Sequence, residues 1–227
     1  MKKRVLVTGG ARGIGRAIVE ELVRFGYDVV ATHYKTDDLV KGAQYLRVNL
    51  TDRGELDKFI TQVGNREPID VLINNAGLWL GKPFEKMSKE ELFEQIDLNL
   101  AAPARLIHGL LPSLKKSKAP LVINLSSQAV HPVFPGEAMY SAVKSALSTL
   151  STVLRTELNP LGVRVTTFQP WGVNTYGIAE PSRMVLPPEL AKVVRYVIEL
   201  PDHLQLDTVS ISHIKQFRGE YPDWIEK

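Results

Sequence analysis

Short β-branched runs alternating with helix-period segments predict a doubly wound α/β fold, a central parallel sheet flanked by helices on both faces. A glycine-rich turn sits between the first strand and the first helix, and no linker, repeat or low-complexity tract interrupts the chain. Residues 1–227 are therefore read as a single domain. The first strand is Arg4–Thr8. Gly13–Phe25 follows as a helix, with Ile14, Ala17, Ile18, Leu22 and Phe25 at helical spacing and Gly26 as a left-handed cap. Asp28–Thr32 and Tyr45–Val48 are strands, and Asp52–Val63 is a helix opened by Asp52-x-x-Glu55. After the strand Val71–Asn74, helices extend up to Lys115, one of them opened by the capping box Ser88-x-x-Glu91. Then come the strand Pro120–Leu125, a long helix Ala138–Asn159, the strand Arg164–Gln169, a helix Pro188–Glu199 and the strand Thr208–Ile211. Parallel neighbours joined through helices require right-handed crossovers.

Composition narrows the function classes. The 227 residues are 44% hydrophobic and 23% charged, with a formal charge of +3 and no cysteine. A chain of this length buries roughly 70–75% of its surface, so its core needs neither disulfide nor metal. The lack of cysteine excludes thiol catalysis, Cys-type zinc sites and a disulfide scaffold, and makes a reducing cytoplasm the expected location. No metal is expected. The apolar stretch after Met1-Lys2-Lys3-Arg4 ends at Val7, too short for a signal peptide, and no run reaches the ~18 apolar residues of a membrane span. Lys and Arg are interspersed with Asp and Glu, so the net charge reads as a solvated surface and neither a nucleic-acid nor a membrane partner is expected.

Thr8-Gly9-Gly10-Ala11-Arg12-Gly13-Ile14-Gly15 closes the first strand and opens the helix. In an open parallel sheet, ligands bind at the carboxyl ends of the strands where the winding reverses. Glycines let the chain turn sharply and let a pyrophosphate approach, and the helix terminus offers free N–H groups and a positive dipole end. No Gly-Lys-Ser/Thr follows, which disfavours nucleoside triphosphate hydrolysis.

Gly9-x-x-x-Gly13-x-Gly15 after Thr8 resembles the classical short-chain dehydrogenase/reductase family. Four further matches stand in the family's order: Asn74-Asn75-Ala76-Gly77, Asn99 within Asp97-Leu98-Asn99-Leu100, Ser127 within Asn124-Leu125-Ser126-Ser127, and Tyr140-Ser141-Ala142-Val143-Lys144. The resemblance runs from about Arg4 to Thr175, and more faintly to Ile211. It implies a Rossmann fold that binds a nicotinamide dinucleotide. It also implies that Thr8, Gly9, Gly13, Ile14 and Gly15 surround the pyrophosphate, Asn49 and Leu50 the adenine, and Asn75, Ala76 and Gly77 the middle of the cofactor. Val173 and Thr175 would bind the carboxamide, with Pro170 and Tyr140 also at the cofactor, while the counterpart of Asn99 holds a water that relays protons through the lysine, here Lys144, which also grips the nicotinamide ribose.

The end of the second strand reads Ala31-Thr32-His33-Tyr34-Lys35, without an acid that would accept from a ribose 2′-hydroxyl. Asp28 begins that strand, about 15 Å from its far end. Arg12, a cation just before a helix N-terminus, is mildly unfavourable there unless an anion joins it. Arg12, His33, Tyr34 and Lys35 therefore point to NADP, with NAD the alternative if Asp37 or Asp38 reaches back to the ribose.

Tyr140 and Lys144 leave one helix face a turn apart. A free phenol, with a pKa of ~10, is too little ionised at neutral pH to be a good base. An ammonium ~4 Å away, at an effective dielectric of ~20, offers up to ~4 kcal/mol, about three units in the required direction. Such a tyrosine can give a proton to a carbonyl oxygen as hydride arrives at carbon, or take it back. Tyr-x-x-x-Lys by itself more often describes a surface pair on a helix; the neighbouring motifs select the catalytic reading. Ser127, at the end of the fifth strand, is positioned to orient the substrate oxygen, and family spacing selects it over Ser126. Flanking glycines of a nucleophile elbow are missing, which disfavours a hydrolase.

The family usually has Pro-Gly where this chain has Pro170-Trp171-Gly172. Either the backbone there accepts a bulky residue and Gly172 supplies the flexibility, or Trp171 walls the nicotinamide site. The lid after Thr175 is short. Leu78, Trp79, Gln128, His131, Phe134, Trp171 and Tyr176 form an aromatic, largely uncharged candidate pocket, suited to an apolar or aromatic carbonyl. Small residues along Ala138–Asn159 suggest subunit contact, and the resemblance implies a homodimer or homotetramer. Phe217, Tyr221 and Trp224 could dock on the body or on a neighbour. The expected activity is an NADP-dependent carbonyl reductase or alcohol dehydrogenase. The alternatives are a non-catalytic redox sensor, an NAD-dependent member of the same family, and a lyase, whose lysine position would be arginine.

Overall fold

The computed structural model describes residues 2–36, 38–131, 135–175 and 184–214. Seven strands, β1 Arg4–Val7, β2 Asp28–His33, β3 Gln44–Arg47, β4 Val71–Asn74, β5 Leu121–Leu125, β6 Arg164–Pro170 and β7 Thr208–Ile211, form one sheet. Their order is β3-β2-β1-β4-β5-β6-β7 and every pairing is parallel. The helices are α1 Gly13–Arg24, α2 Arg53–Gly64, α3 Lys89–Ile96, α4 Ala102–Leu114, α5 Ala138–Leu158 and α6 Pro187–Glu199. This is the doubly wound Rossmann architecture expected from the sequence, with boundaries shifted by a residue or so.

The central strands β1, β4 and β5 are buried throughout, which explains why they read as near-continuous apolar runs, whereas the edge strands β3 and β7 keep exposed residues. Val5, Val7 and Ile73 point to the face covered by α1 and α6, where Ile18, Leu22 and Val194 pack. Leu6 and Leu72 point to the opposite face, against Leu56, Phe59, Leu106 and Leu110. Each fully buried aliphatic side chain is worth about 1.5–3 kcal/mol, so this two-sided core holds the sheet edge that carries the site.

Local signals work as the residue types dictate. Gly26, at φ +81°, lets its N–H reach the Val23 carbonyl and that of Tyr27 reach Leu22, closing α1. Ser88 and Glu91 form a reciprocal capping box on α3. Asp52 caps α2 by accepting from the Glu55 N–H, but the Glu55 carboxylate turns instead to the Asn49 N–H, so no reciprocal box forms there. The helical segment ending near Lys115 is interrupted by a π turn, Asp97–Ala101, in which the Ala102 N–H bonds Asp97. Pro103 has no N–H to offer the Asn99 carbonyl four residues earlier, and a widened turn accommodates that loss.

Candidate active site

The winding reverses between β1 and β4, and the glycine turn lies at their carboxyl ends. Gly9 adopts φ +65°, a conformation that favours glycine. A Cβ on Gly15 would overlap the Gly9 carbonyl and the Asn75 amide. The Thr8 hydroxyl accepts from the N–H groups of Asn75 and Ala76, both at 3.0 Å, and Asn75 Nδ2 donates to the Thr8 carbonyl at 2.8 Å. Thr8 and Asn75 thus fasten the turn to the end of β4 with side chains directed inward. Thr32 Oγ1 accepts from the Gly9 N–H at 2.9 Å, and the Tyr45 hydroxyl donates to the Gly10 carbonyl at 2.9 Å.

Arg12 precedes α1 in extended conformation; its side chain makes no capping bond, and the first turn, from Gly13 and Ile14 to Gly15, carries no acid. The first-turn N–H groups thus have neither a side-chain cap nor a neighbouring acid, a donor set that fits a dinucleotide pyrophosphate. Thr175 folds against this turn: a Cβ on Gly13 would lie 3.3 Å from its methyl group.

At the adjoining end of β2, His33 Nδ1 lies 2.8 Å from the Thr36 carbonyl and the imidazole meets Tyr45 edge-on at 6.0 Å. Tyr34 is exposed between two cations, Lys35 Nζ at 5.5 Å and the Arg47 guanidinium at 5.4 Å from its ring centre. Arg47 carried no signal in the sequence, because only the β2–β3 register, His33 opposite Arg47, brings it here. Asp38, one of the acids that could have served a ribose hydroxyl, is paired with Arg16 at 3.0 Å; Asp37 lies outside the described residues. Asn49 Oδ1 accepts from the backbone and hydroxyl of Thr51. Leu50 is buried beside a cavity of about 270 Å³ between α2 and α4, lined by none of the catalytic candidates.

Lys144 is only 4% exposed, and its Nζ donates to the Leu125 carbonyl at 2.9 Å, at the end of β5. Its ammonium lies 5.7 Å from the centre of the Tyr140 ring. Burial lowers its pKa from 10.5 to about 8. Gly77 passes directly above: a Cβ there would sit 3.4 Å from Lys144 Nζ and 2.8 Å from Asn99 Oδ1. Asn99 is buried in the π turn, donating to the carbonyls of Leu78 and Gln95 and accepting from the Leu78 N–H. Its amide therefore clamps the loop over Lys144.

The two serines separate cleanly. Ser126 is buried, its hydroxyl donating to the Lys144 carbonyl at 2.9 Å and lying 2.7 Å from Ser148 Oγ. Ser127 Oγ accepts from the Ala129 N–H at 3.0 Å, a bond that leaves its own proton free to be donated.

Pro170 ends β6, and the Trp171 N–H donates to the Ile211 carbonyl at 2.8 Å. Among the described residues no non-glycine has positive φ, whereas Gly172 is at +52°. Gly172 thus takes the turn, and Trp171 keeps an ordinary backbone. Val173 bridges to Val185. The Gln128 amide, expected in the pocket, donates to Ser210 Oγ and the Ile211 carbonyl and so ties the loop to β7. His131 is exposed, and Phe134, Tyr176 and the tail aromatics Phe217, Tyr221 and Trp224 lie outside the described residues. Trp79, next to Leu78, donates its indole N–H to Glu137 at 3.0 Å. Burial raises the Glu137 carboxyl above its usual range, partly offset by that bond. Glu137 was not among the expected pocket residues. Among the described residues no helix is long and apolar enough to cross a membrane, and no cluster of His, Cys, Asp and Glu could hold a metal.

A dinucleotide cradle at the switch point and a buried lysine one turn from a tyrosine define a class, the nicotinamide-type α/β oxidoreductases. The sequence model of the short chain dehydrogenase family matches residues 3–184, and the chain belongs to that family. It is 28% identical to serine 3-dehydrogenase of Agrobacterium fabrum over 240 residues, covering 95% of this chain and 96% of that one. L-xylulose reductase of Bos taurus is 34% identical over 180 residues, 76% of this chain and 72% of that one. Among solved structures, an alcohol dehydrogenase from the archaeon Thermococcus sibiricus, complexed with 5-hydroxy-NADP, superposes with TM-score 0.88 at 28% identity, covering 97% and 100% of the two chains.

Proposed function

We propose that this chain, acting as one domain, transfers hydride between NADP and a small carbonyl compound or secondary alcohol, with Tyr140 as general acid and base. The observation that carries the reading is the Lys144 ammonium, buried and anchored to Leu125, with the Tyr140 ring one helical turn away. NADP, when bound, supplies the hydride donor or acceptor. Lys144 favours the ionised phenol, Ser127 offers its hydroxyl proton to the substrate oxygen, and Asn99 holds the Gly77–Leu78 loop over the lysine. Thr8 and Asn75 support the glycine turn, and the turn's free N–H groups bind the pyrophosphate.

The choice of NADP is supported by the uncapped Arg12, by the Lys35 and Arg47 cations around Tyr34, and by the relative bound to an NADP analogue. The location proposed is the cytoplasm. The assembly proposed is a homodimer or homotetramer through α5, whose outer face presents Thr149, Thr152 and Val153.

The test is a panel of carbonyls and alcohols followed at 340 nm. Tyr140→Phe is expected to lower kcat by at least about 100-fold, the scale of a lost general acid. Wild-type rates in that variant would refute the assignment.

A further inference from the structure

We propose that Trp79 and Glu137 form a recognition site for a cationic amine on the substrate, so that the chain acts on amino-carbonyl or amino-alcohol compounds; this rests on the hydride-transfer reading above. Trp79 lies two residues beyond Gly77, whose Cα faces Lys144, and Glu137 lies three residues before Tyr140 at the N-terminus of α5. The bond between them at 3.0 Å joins the two chain segments that flank the catalytic pair.

The indole is held at its N–H side. The N–H donates to Glu137, and the adjoining part of the six-membered ring abuts Gly81, where a Cβ would come within 2.7 Å of Cζ2 and 2.9 Å of Cη2. The side chain remains 38% exposed, so part of the ring stays open to a ligand. An indole face is the most favourable aromatic surface for a cation, and a carboxylate at its edge supplies the opposite charge.

Charge bookkeeping favours the same ligand. Lys82, on the loop whose backbone N–H donates to the Gly136 carbonyl, is already held by Glu91 at 2.8 Å. Among the described residues no cation pairs with Glu137, and burial leaves its carboxylate under-compensated. An ammonium seated against Trp79 would restore the balance, whereas a carboxylate or phosphate would add repulsion.

The test titrates the full chain, saturated with NADP+, with 1-amino-2-propanol and with 1,2-propanediol, followed by ligand-observed NMR. The two alcohols differ by an ammonium in place of a hydroxyl. Wild type is expected to bind the amine about ten-fold more tightly, and Glu137→Gln to bring the ratio near one. Glutamine keeps an oxygen for the indole N–H, so the local structure is retained. Trp79→Phe is expected to reduce the ratio several-fold. Equal affinities in wild type, or a ratio untouched by Glu137→Gln, would overturn the proposal. NADPH formation is read in parallel: amine-selective binding without turnover refutes hydride transfer and leaves the amine site standing, while turnover of both alcohols without preference refutes the amine site alone.

Discussion

Replacing Lys144 with methionine removes the buried ammonium while keeping most of the side-chain volume. In the folded protein that ammonium titrates at about 8 against 10.5 for an unperturbed lysine, because burial disfavours the charged form. Between those two values the unfolded chain holds a proton that the folded chain has released, so stability rises with pH. Below both values each state is protonated and the burial penalty is fully expressed. Integrating from about pH 7.5 to about pH 10 gives a gain of about 2 kcal/mol in the wild type. At a urea m-value of about 2–3 kcal/mol/M this is a rise in midpoint of roughly 1 M. Lys144→Met lacks this gain. The Leu125 carbonyl left without its donor is a further consequence that does not vary with pH, whereas the loss of the ammonium beside Tyr140 acts in the same direction as the loss of the lysine's own titration. Tyr27 and Tyr45, whose pKa values burial raises, titrate alike in both proteins and cancel in the difference. Urea unfolding of the cofactor-free chain, at fixed protein concentration and several pH values, measures the difference directly. Parallel midpoints for wild type and variant across this range would refute a desolvated ammonium at this position, and with it the electrostatic basis assigned to Tyr140.

The other predictions concern the serine pair and the cations around Tyr34. Ser127→Ala is expected to lower kcat/KM by roughly 10–100-fold with little change in urea midpoint, as for a lost hydrogen bond to a reacting oxygen. Ser126→Ala is expected to cost about 1–2 kcal/mol of stability through its contacts with Lys144 and Ser148, and the opposite pattern would reverse the two assignments. Arg12→Ala and Arg47→Ala are each expected to lower the NADP-over-NAD preference in kcat/KM by about ten-fold, the scale of one charge-assisted phosphate contact. An unchanged preference in both variants would remove the phosphate role from these residues.

Much of the fold was legible because parallel strands buried on both faces must be apolar throughout, and glycine and capping residues mark turns through local sterics. Val71–Asn74, buried throughout, is observed with the bounds that pattern indicates, and Thr208–Ile211, an edge strand of alternating exposure, also keeps its expected bounds. The π turn was not legible from periodicity, since five residues of widened helix leave the apolar spacing almost unaltered. Gln128 was expected in the pocket on the strength of its position in a loop near the site. Its amide donates to Ser210, more than eighty residues away, and no local pattern encodes that contact.

The order of glycines, the Tyr-x-x-x-Lys spacing and the strand–helix alternation follow from short-range geometry, and the sequence alone was enough to reach the doubly wound sheet and the candidate residues at its carboxyl edge. Tertiary structure alone decided what each side chain does there. It turned Thr8 and Asn75 inward, separated Ser126 from Ser127, brought Arg47 beside Tyr34 and joined Trp79 to Glu137. These outcomes depend on hydrogen bonds, register and burial between segments distant along the chain, and such long-range pairings leave no periodic trace in the residues that make them.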